Sequence, residues 1–417
     1  MSKFVVAGGN KLEGSVEVHG AKNAVLPILA ATVLNGGKSV IHNCPNLRDV
    51  TATINILRFL GCEVTRKDSS VIVDSSAIKN DYIPDHLMRE MRSSIIFLGA
   101  IVSRMKKAVI SYPGGCEIGP RPIDLHLKAL RQLGITIKES HGYIYCNTDK
   151  ILAGDIHLDF PSVGATENIM LAAVMAEGTT IIRNAAREPE IVDLQDCLNS
   201  MGANIKGAGT SVIVIQGVSK LHDVEHTVIP DRIVACTYLA AAAITAGTVE
   251  VTNVVTEHVQ AVLSAFKECG CSVYTDDHSI ILKRNKPLQP IDMIRTLPYP
   301  GFPTDMQAPM MSVLTLAKGT SIITETIFEN RFKHVEELRR MGADIKVDGR
   351  VAVIKGVEKL MGTSVNARDL RGGAALVLAG LAAEHITEIH GIHHMDRGYE
   401  KFEEKLSVLG ADIKRVD

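Results

Sequence analysis

The chain has 417 residues and a formal net charge of −2 at pH 7, which argues against a general nucleic-acid binder but leaves room for a local cationic pocket. With no Trp, nine Phe and eight Tyr, it is too poor in aromatics for base-stacking platforms. Its 46% hydrophobic content supports a large core, and its length suggests two or three domains. No apolar run reaches the roughly 18 residues of a membrane span, so no membrane insertion is expected. The apolar run at the N-terminus is too short for a signal peptide. Eight scattered Cys without a framework spacing then imply free thiols and a cytoplasmic protein.

In chain order, 15–18 reads as a short strand and 24–34 (AVLPILAATVL) as an apolar helix. A strand follows at 38–43, an amphipathic helix at 47–60, and two strands at 63–67 and 70–75 joined by a polar turn. This β-α-β-α-β-β order recurs. The segments LRFLGCEVT, LRQLGITIK, LNSMGANIK, FKECGCSVY, LRRMGADIK and LSVLGADIK each read as a helix end, a terminating Gly and an alternating strand. Their glycines, Gly61, Gly134, Gly202, Gly270, Gly342 and Gly410, lie 73, 68, 68, 72 and 68 residues apart. A near-constant period of this length indicates a duplicated unit, present six times. The first helix of each copy is apolar nearly all round, as in 95–103, 169–176 and 376–383, so it is expected to be enclosed by sheets. Six copies most simply form two domains of three.

Polar residues collect at two places in the unit. The starts of the six apolar helices carry Lys22, Arg92, Ser162, Arg232, Asp305 and Arg371. Capping accounts for Ser162 and is a candidate role for Asp305. It does not account for the cations, which oppose the helix dipole unless an anionic ligand binds beside free N–H groups; solvated surface charge is the alternative. The second place is the loop after the second strand, where Arg121, Arg331 and Arg397 occur. Copy two of this loop, PGGCEIGPRP at 113–122, is the longest and alone sets a cysteine, Cys116, beside a glycine pair. Cys269 with Cys271 lacks a second ligand pair at a zinc-like spacing, and His393 with His394 near Asp396 is a further metal candidate; both read as structural. Phosphate-loop, Rossmann and hydrolase-elbow motifs are not found.

The stretches GAKNA (20–24), PGGCEIGPRPIDLH (113–126), SVGATENIM (162–170), NAAREPEIVDL (184–194) and FPTDMQAP (302–309) resemble the enolpyruvyl transferase family, over essentially the whole chain. The cysteine loop is the most specific part. It points to the branch acting on an aminosugar nucleotide, since the branch making 5-enolpyruvylshikimate 3-phosphate is not expected to carry it. The resemblance implies an α/β fold, a two-domain inside-out barrel with three repeats per domain. The domains would be 22–229, and 1–21 with 230–417. It implies no metal or organic cofactor. The small-molecule substrates would be phosphoenolpyruvate and UDP-N-acetylglucosamine. The 3′-hydroxyl of the second would attack C2 of the first, giving a tetrahedral ketal that loses phosphate, in the first committed step toward peptidoglycan.

The same resemblance assigns roles. Lys22, Arg121 and Arg397 would hold phosphate and carboxylate of phosphoenolpyruvate, a task suited to fixed cations. Cys116 would deliver a proton to C3 or add covalently to C2, two roles left open, with nearby guanidinium groups favouring its thiolate. Asp305 would take the hydroxyl proton. Asn23 and Ile327 would contact the aminosugar nucleotide. Arg92, Arg121, Pro122, Ile123, Asp124 and Leu125 would surround its uridine and diphosphate. His126, Ser162, Val163, Gly164, Arg331 and Arg371 are secondary candidates. One departure is that Phe160 and Pro161 stand where some members carry a lysine near the diphosphate. Fosfomycin is expected to alkylate Cys116, and the loop 113–122 is a candidate lid. Rival readings are a different hydroxyl acceptor, a noncatalytic paralogue, and an RNA-end-modifying enzyme on a related repeat.

Overall fold

The structure is a computed structural model in which residues 2–114 and 123–417 are described. Cys116, Arg121 and Pro122, and with them most of the candidate lid, lie outside the described residues. Two compact units emerge, 2–19 with 230–417 and 20–114 with 123–229. Among the described residues the chain passes between them twice, at 19/20 and 229/230. Asp231 N donates to His19 O at 2.9 Å on one side of these crossings, and Ala21 N to Ile229 O at 2.7 Å on the other.

Alternating sequence becomes sheet in a single repeated pattern. Among the described residues there are six four-stranded sheets. In each, one parallel pair is extended by two antiparallel neighbours. In the sheet of copy two, Tyr82–Ile83 lies parallel to Lys107–Ser111, which pairs antiparallel with Tyr143–Asn147, itself paired with Thr136–Ser140. Period-two burial sets the register: Ala108 and Ile110 face inward while Lys107 is exposed.

Three sheets close by borrowing a distant strand. Lys38–His42 takes its parallel neighbour from Val224–Thr227, at the other end of its unit. Lys3–Ala7 inserts between Ile386–His390 and Asp412–Val416, with Phe4 opposite Ile389 and Arg415. The strand read at 15–18 is Glu13–Glu17, and it pairs parallel with Thr248–Thr252. It therefore opens the sheet of the fourth copy, not the first. Alternation marks a strand but not its partner, so the expectation misplaced it.

The apolar helices are enclosed, as their composition requires. In one unit Lys22–Ala31, Phe97–Met105 and Val163–Ala173 pack together in one core; in the other Arg232–Ile244, Gln307–Leu314 and Leu370–Ala382 do so. Matching hydroxyls tie helix to helix, Ser103 to Ala172 O at 3.3 Å and Ser312 to Ala375 O at 2.8 Å. All six helix-ending glycines have φ between 79° and 108°, the left-handed region that closes a helix. Gly217 and Gly356 serve a different end. A Cβ there would stand 1.7 and 1.6 Å from the carbonyl oxygens of Ala176 and Ala317, so only glycine lets the chain leave each sheet so close to the helix end.

Candidate functional site

In the unit 20–229, the first site element is the start of helix Lys22–Ala31. Gly20 lies against the Asn43 carbonyl, 1.8 Å from where a Cβ would stand. That approach brings the helix start to the loop ahead of helix Arg48–Leu60. Lys22 Nζ bonds Asp49 Oδ2 at 3.1 Å, and Asp49 sits buried in the first turn of that second helix, where a carboxylate suits the dipole. Asn23, half-buried, follows Lys22. Pro27, inside this helix, has no N–H to give the Asn23 carbonyl.

A second corner of this unit is organised by one amide. Asn168 is fully buried. Its Nδ2 donates to Ile95 O at 3.0 Å and contacts His126 Nδ1 at 2.8 Å, while its Oδ1 accepts from Gly99 N at 2.7 Å. The amide thus joins four elements: the turn Arg92–Ile96, helix Phe97–Met105, the start of helix Asp124–Gln132, and its own helix Val163–Ala173. Because Nδ2 donates, His126 accepts at Nδ1 and carries its proton on Nε2. Burial, and then the positive charge of Arg92, pull its pKa down to about 4. His126 is therefore neutral near pH 7, and its ring lies against Gly164, where a Cβ would meet Cε1 at 3.1 Å. Ser162 caps the helix as expected, accepting from Ala165 N at 3.3 Å. Arg92 Nη1 reaches the carbonyls of Pro113 and Gly114 at 3.5 and 3.4 Å. Ile123 is buried, Asp124 exposed, and Leu125, Val163 and Gly164 half-buried.

In the other unit the chemistry is ionic. Asp305 lies in the turn Thr304–Met306, and its side chain is 25% exposed. Arg331 Nη2 meets its Oδ1 at 2.7 Å; Arg371 Nε and Nη2 meet its Oδ2 at 3.1 and 3.0 Å. Both arginines are buried. Two guanidinium groups on one carboxylate favour its ionised form and fix its direction. Arg331 also lies over the Phe328 ring and Arg371 over the Tyr399 ring. Ile327 is half-buried on the loop between strand Thr320–Thr324 and Arg331, and Arg397 ends the turn Ile392–Arg397, half-buried.

Three sequence expectations change here. Asp305 does not cap its helix; its carboxylate is engaged by the arginines. Arg232 and Arg371 do not stand beside free helix N–H groups. The Asp231 side chain accepts from Ile233 and Val234, and Asp369 accepts from Arg371 and Gly372, so those donors are filled by the protein. The signal was present in PDRIV and DLRGG, where Asp precedes each helix. Arg371 instead serves Asp305, and Arg232 lies over the Tyr299 ring. Asp49, Asn168 and Glu325 were not singled out from sequence; each acts through partners far along the chain.

The remaining cysteines are quiet. The seven described are buried and unpaired, and burial pushes their thiols up, Cys44, Cys62, Cys146 and Cys236 to about 12. Asp396, beside the histidine pair, is held by Arg415 at 2.6 Å.

Comparison with known proteins follows the same lines. The family profile of EPSP synthase (3-phosphoshikimate 1-carboxyvinyltransferase) matches residues 6–406. A protein of Caldanaerobacter subterraneus subsp. tengcongensis named UDP-N-acetylglucosamine 1-carboxyvinyltransferase 2 is 60% identical, with all of both chains covered. UDP-N-acetylglucosamine 1-carboxyvinyltransferase 1 of Symbiobacterium thermophilum is 56% identical over 99% of this chain and 95% of its own. Among solved structures, the enolpyruvyl transferase NikO of Streptomyces tendae superposes with a TM-score of 0.90 at 26% identity, covering 100% of this chain and 99% of that one. EPSP synthase of Acinetobacter baumannii, at 19% identity and a TM-score of 0.77 with full coverage of both chains, shares the mixed α/β fold.

Proposed function

The chain belongs to the EPSP synthase family of enolpyruvyl transferases, and on that premise we propose that it transfers the enolpyruvyl group of phosphoenolpyruvate to the 3′-hydroxyl of UDP-N-acetylglucosamine, releasing phosphate. The observation that carries this is end-to-end identity of 60% to a relative named for that reaction. The product is the first committed intermediate of peptidoglycan synthesis, and the enzyme acts in the cytoplasm. No helix among the described residues is long and apolar enough to cross a membrane. The fold in this reading is the family's inside-out barrel pair, six repeats in domains 22–229 and 1–21 with 230–417. The six like sheets and the two triplets of enclosed helices support it.

The reaction divides over named groups. The sugar 3′-oxygen attacks C2 of phosphoenolpyruvate, C3 takes a proton, and a tetrahedral ketal results. The C2–O bond to phosphate then breaks, C3 gives up a proton, and the enol ether remains. Asp305 receives the hydroxyl proton, its carboxylate kept ionised by Arg331 and Arg371. Lys22, Arg121 and Arg397 neutralise the phosphate and carboxylate. Cys116 serves C3 as the acid or C2 as a nucleophile, and is the site for fosfomycin. Arg92, Arg121–Leu125, His126 and Ser162–Gly164 form the nucleotide side, with Asn23 and Ile327 at the sugar.

The test is phosphate release from phosphoenolpyruvate, with and without UDP-N-acetylglucosamine, before and after fosfomycin. Release that requires the sugar nucleotide and stops with one adduct on Cys116 is the expected result. Release with shikimate 3-phosphate instead, or no release with the sugar nucleotide, overturns the acceptor.

A further inference from the structure

We propose that Glu325 is a positioning residue, the internal post that fixes the proposed base Asp305 relative to the loop carrying Ile327. The inference rests on the reading of Asp305 and Ile327 given above. Glu325 follows strand Thr320–Thr324 and is 1% exposed. Its own N–H donates to Arg350 O at 2.9 Å, so its backbone is set by the sheet. Its carboxylate gathers four donors. Oε1 accepts from Thr296 Oγ1 at 2.9 Å, Ile327 N at 2.8 Å and Phe328 N at 3.1 Å. Oε2 accepts from Thr304 Oγ1 at 2.8 Å.

These donors belong to the two places the reaction needs held together. Thr304 immediately precedes Asp305. Ile327 and Phe328 are the loop. The ring of contacts then closes on the far side: Phe328 lies 5.4 Å from the Arg331 guanidinium, and Arg331 holds Asp305. Thr296 braces the post, since its hydroxyl, while donating to Glu325, accepts from Thr326 N at 2.9 Å.

A fully buried carboxylate is an expensive way to fill space, because an apolar side chain of similar volume serves stability as well or better. Four directed acceptor contacts give what an apolar side chain cannot, a fixed orientation of two backbone N–H groups and two hydroxyls. An ångström of misplacement at a reacting group costs about a hundredfold in rate, so holding the turn and loop in register has kinetic value. Glu325 touches no reacting atom in this scheme; it acts through Thr304, Ile327 and Phe328.

The experiment measures kcat and both KM values, with Tm, for the full-length wild type and for Glu325→Ala, Glu325→Gln and Thr304→Val. Glu325→Ala is expected to lower kcat about a hundredfold and raise KM for UDP-N-acetylglucosamine about tenfold, leaving that for phosphoenolpyruvate within about twofold. Glu325→Gln keeps an acceptor for the two N–H groups and is expected to recover about tenfold of the rate. Thr304→Val removes one contact without opening the core, and carries the test should Glu325→Ala not fold; it is expected to lower kcat about tenfold at near wild-type Tm. Wild-type values in Thr304→Val and Glu325→Gln overturn the proposal. So does a rate loss that leaves both KM values alone, or moves them equally, which is what a merely structural role gives. A wild type inactive on UDP-N-acetylglucosamine instead overturns the acceptor reading, and this proposal with it.

Discussion

The two units solve one problem with different chemistry. Around Asn168 a neutral amide and a neutral imidazole hold four elements together through hydrogen bonds between uncharged groups, with the Arg92 charge acting on the imidazole but not bonded to it or to the amide in those contacts. Around Asp305 a carboxylate, two buried guanidinium groups and the carboxylate of Glu325 do the equivalent work. The first arrangement needs shape and donor direction, which suits recognition of a nucleotide. In the proposed reaction the second must also manage a proton, and an ionised base inside a protein needs opposite charge beside it. The lesson is that a buried polar network takes its charge from the task at its edge.

The comparison breaks most sharply at its charged end. Asp305→Asn keeps the shape and removes the base, and kcat is expected to fall about a thousandfold, measured by phosphate release. An amide at 305 that retained full rate would make the two regions equivalent. A second measurement exploits the buried histidines, one in each unit. Burial lowers both His126 and His334 to about 4, with Asp369 partly opposing at His334. Above the unfolded value near 6.5 neither state binds the proton; between there and about 4 only the unfolded chain does, so stability falls as pH falls. The His126 contribution is about 3 kcal/mol across that window. Tm against pH for the wild type and His126→Gln should diverge from pH 7 and run parallel below about 4.

At the neutral end, Asn168→Ala strips partners from the Ile95 carbonyl, the Gly99 N–H and His126 Nδ1. A loss of about 2 kcal/mol in denaturant unfolding is expected, with KM for the sugar nucleotide rising more than that for phosphoenolpyruvate. Equal changes in the two KM values would deny that corner its assigned ligand. The smallest effect separates backbone strain from crowding. Gly342→Ala meets nothing within 4 Å and should cost about 1 kcal/mol from its φ of +93° alone. Gly202→Ala adds a contact to His222 at 2.9 Å and should cost more.

Much of this was readable in advance, and the failures share a cause. The helix-ending glycines, the enclosed helices and the Ser162 cap follow from local rules, because each depends on residues within a turn or two. The strand 13–17 was visible as a strand but was assigned to the wrong sheet, its partner lying at 248–252. Arg371 was visible as a buried-helix cation but was given an anionic ligand, when its partner is Asp305, 66 residues away. Glu325 passed unnoticed because a glutamate after a strand looks like any solvated loop carboxylate until Thr304 and Thr296 are seen to face it.

Sequence by itself determined the elements, their sixfold recurrence and the residue types the chemistry requires, since periodicity and Gly, Asp and Ser signals act over a few residues. Tertiary structure alone decided which strand completes which sheet and which charge answers which. Burial patterns report that a side chain is enclosed, not what encloses it. The partners of Asp305 lie 26 and 66 residues on, a separation that only the packed fold closes.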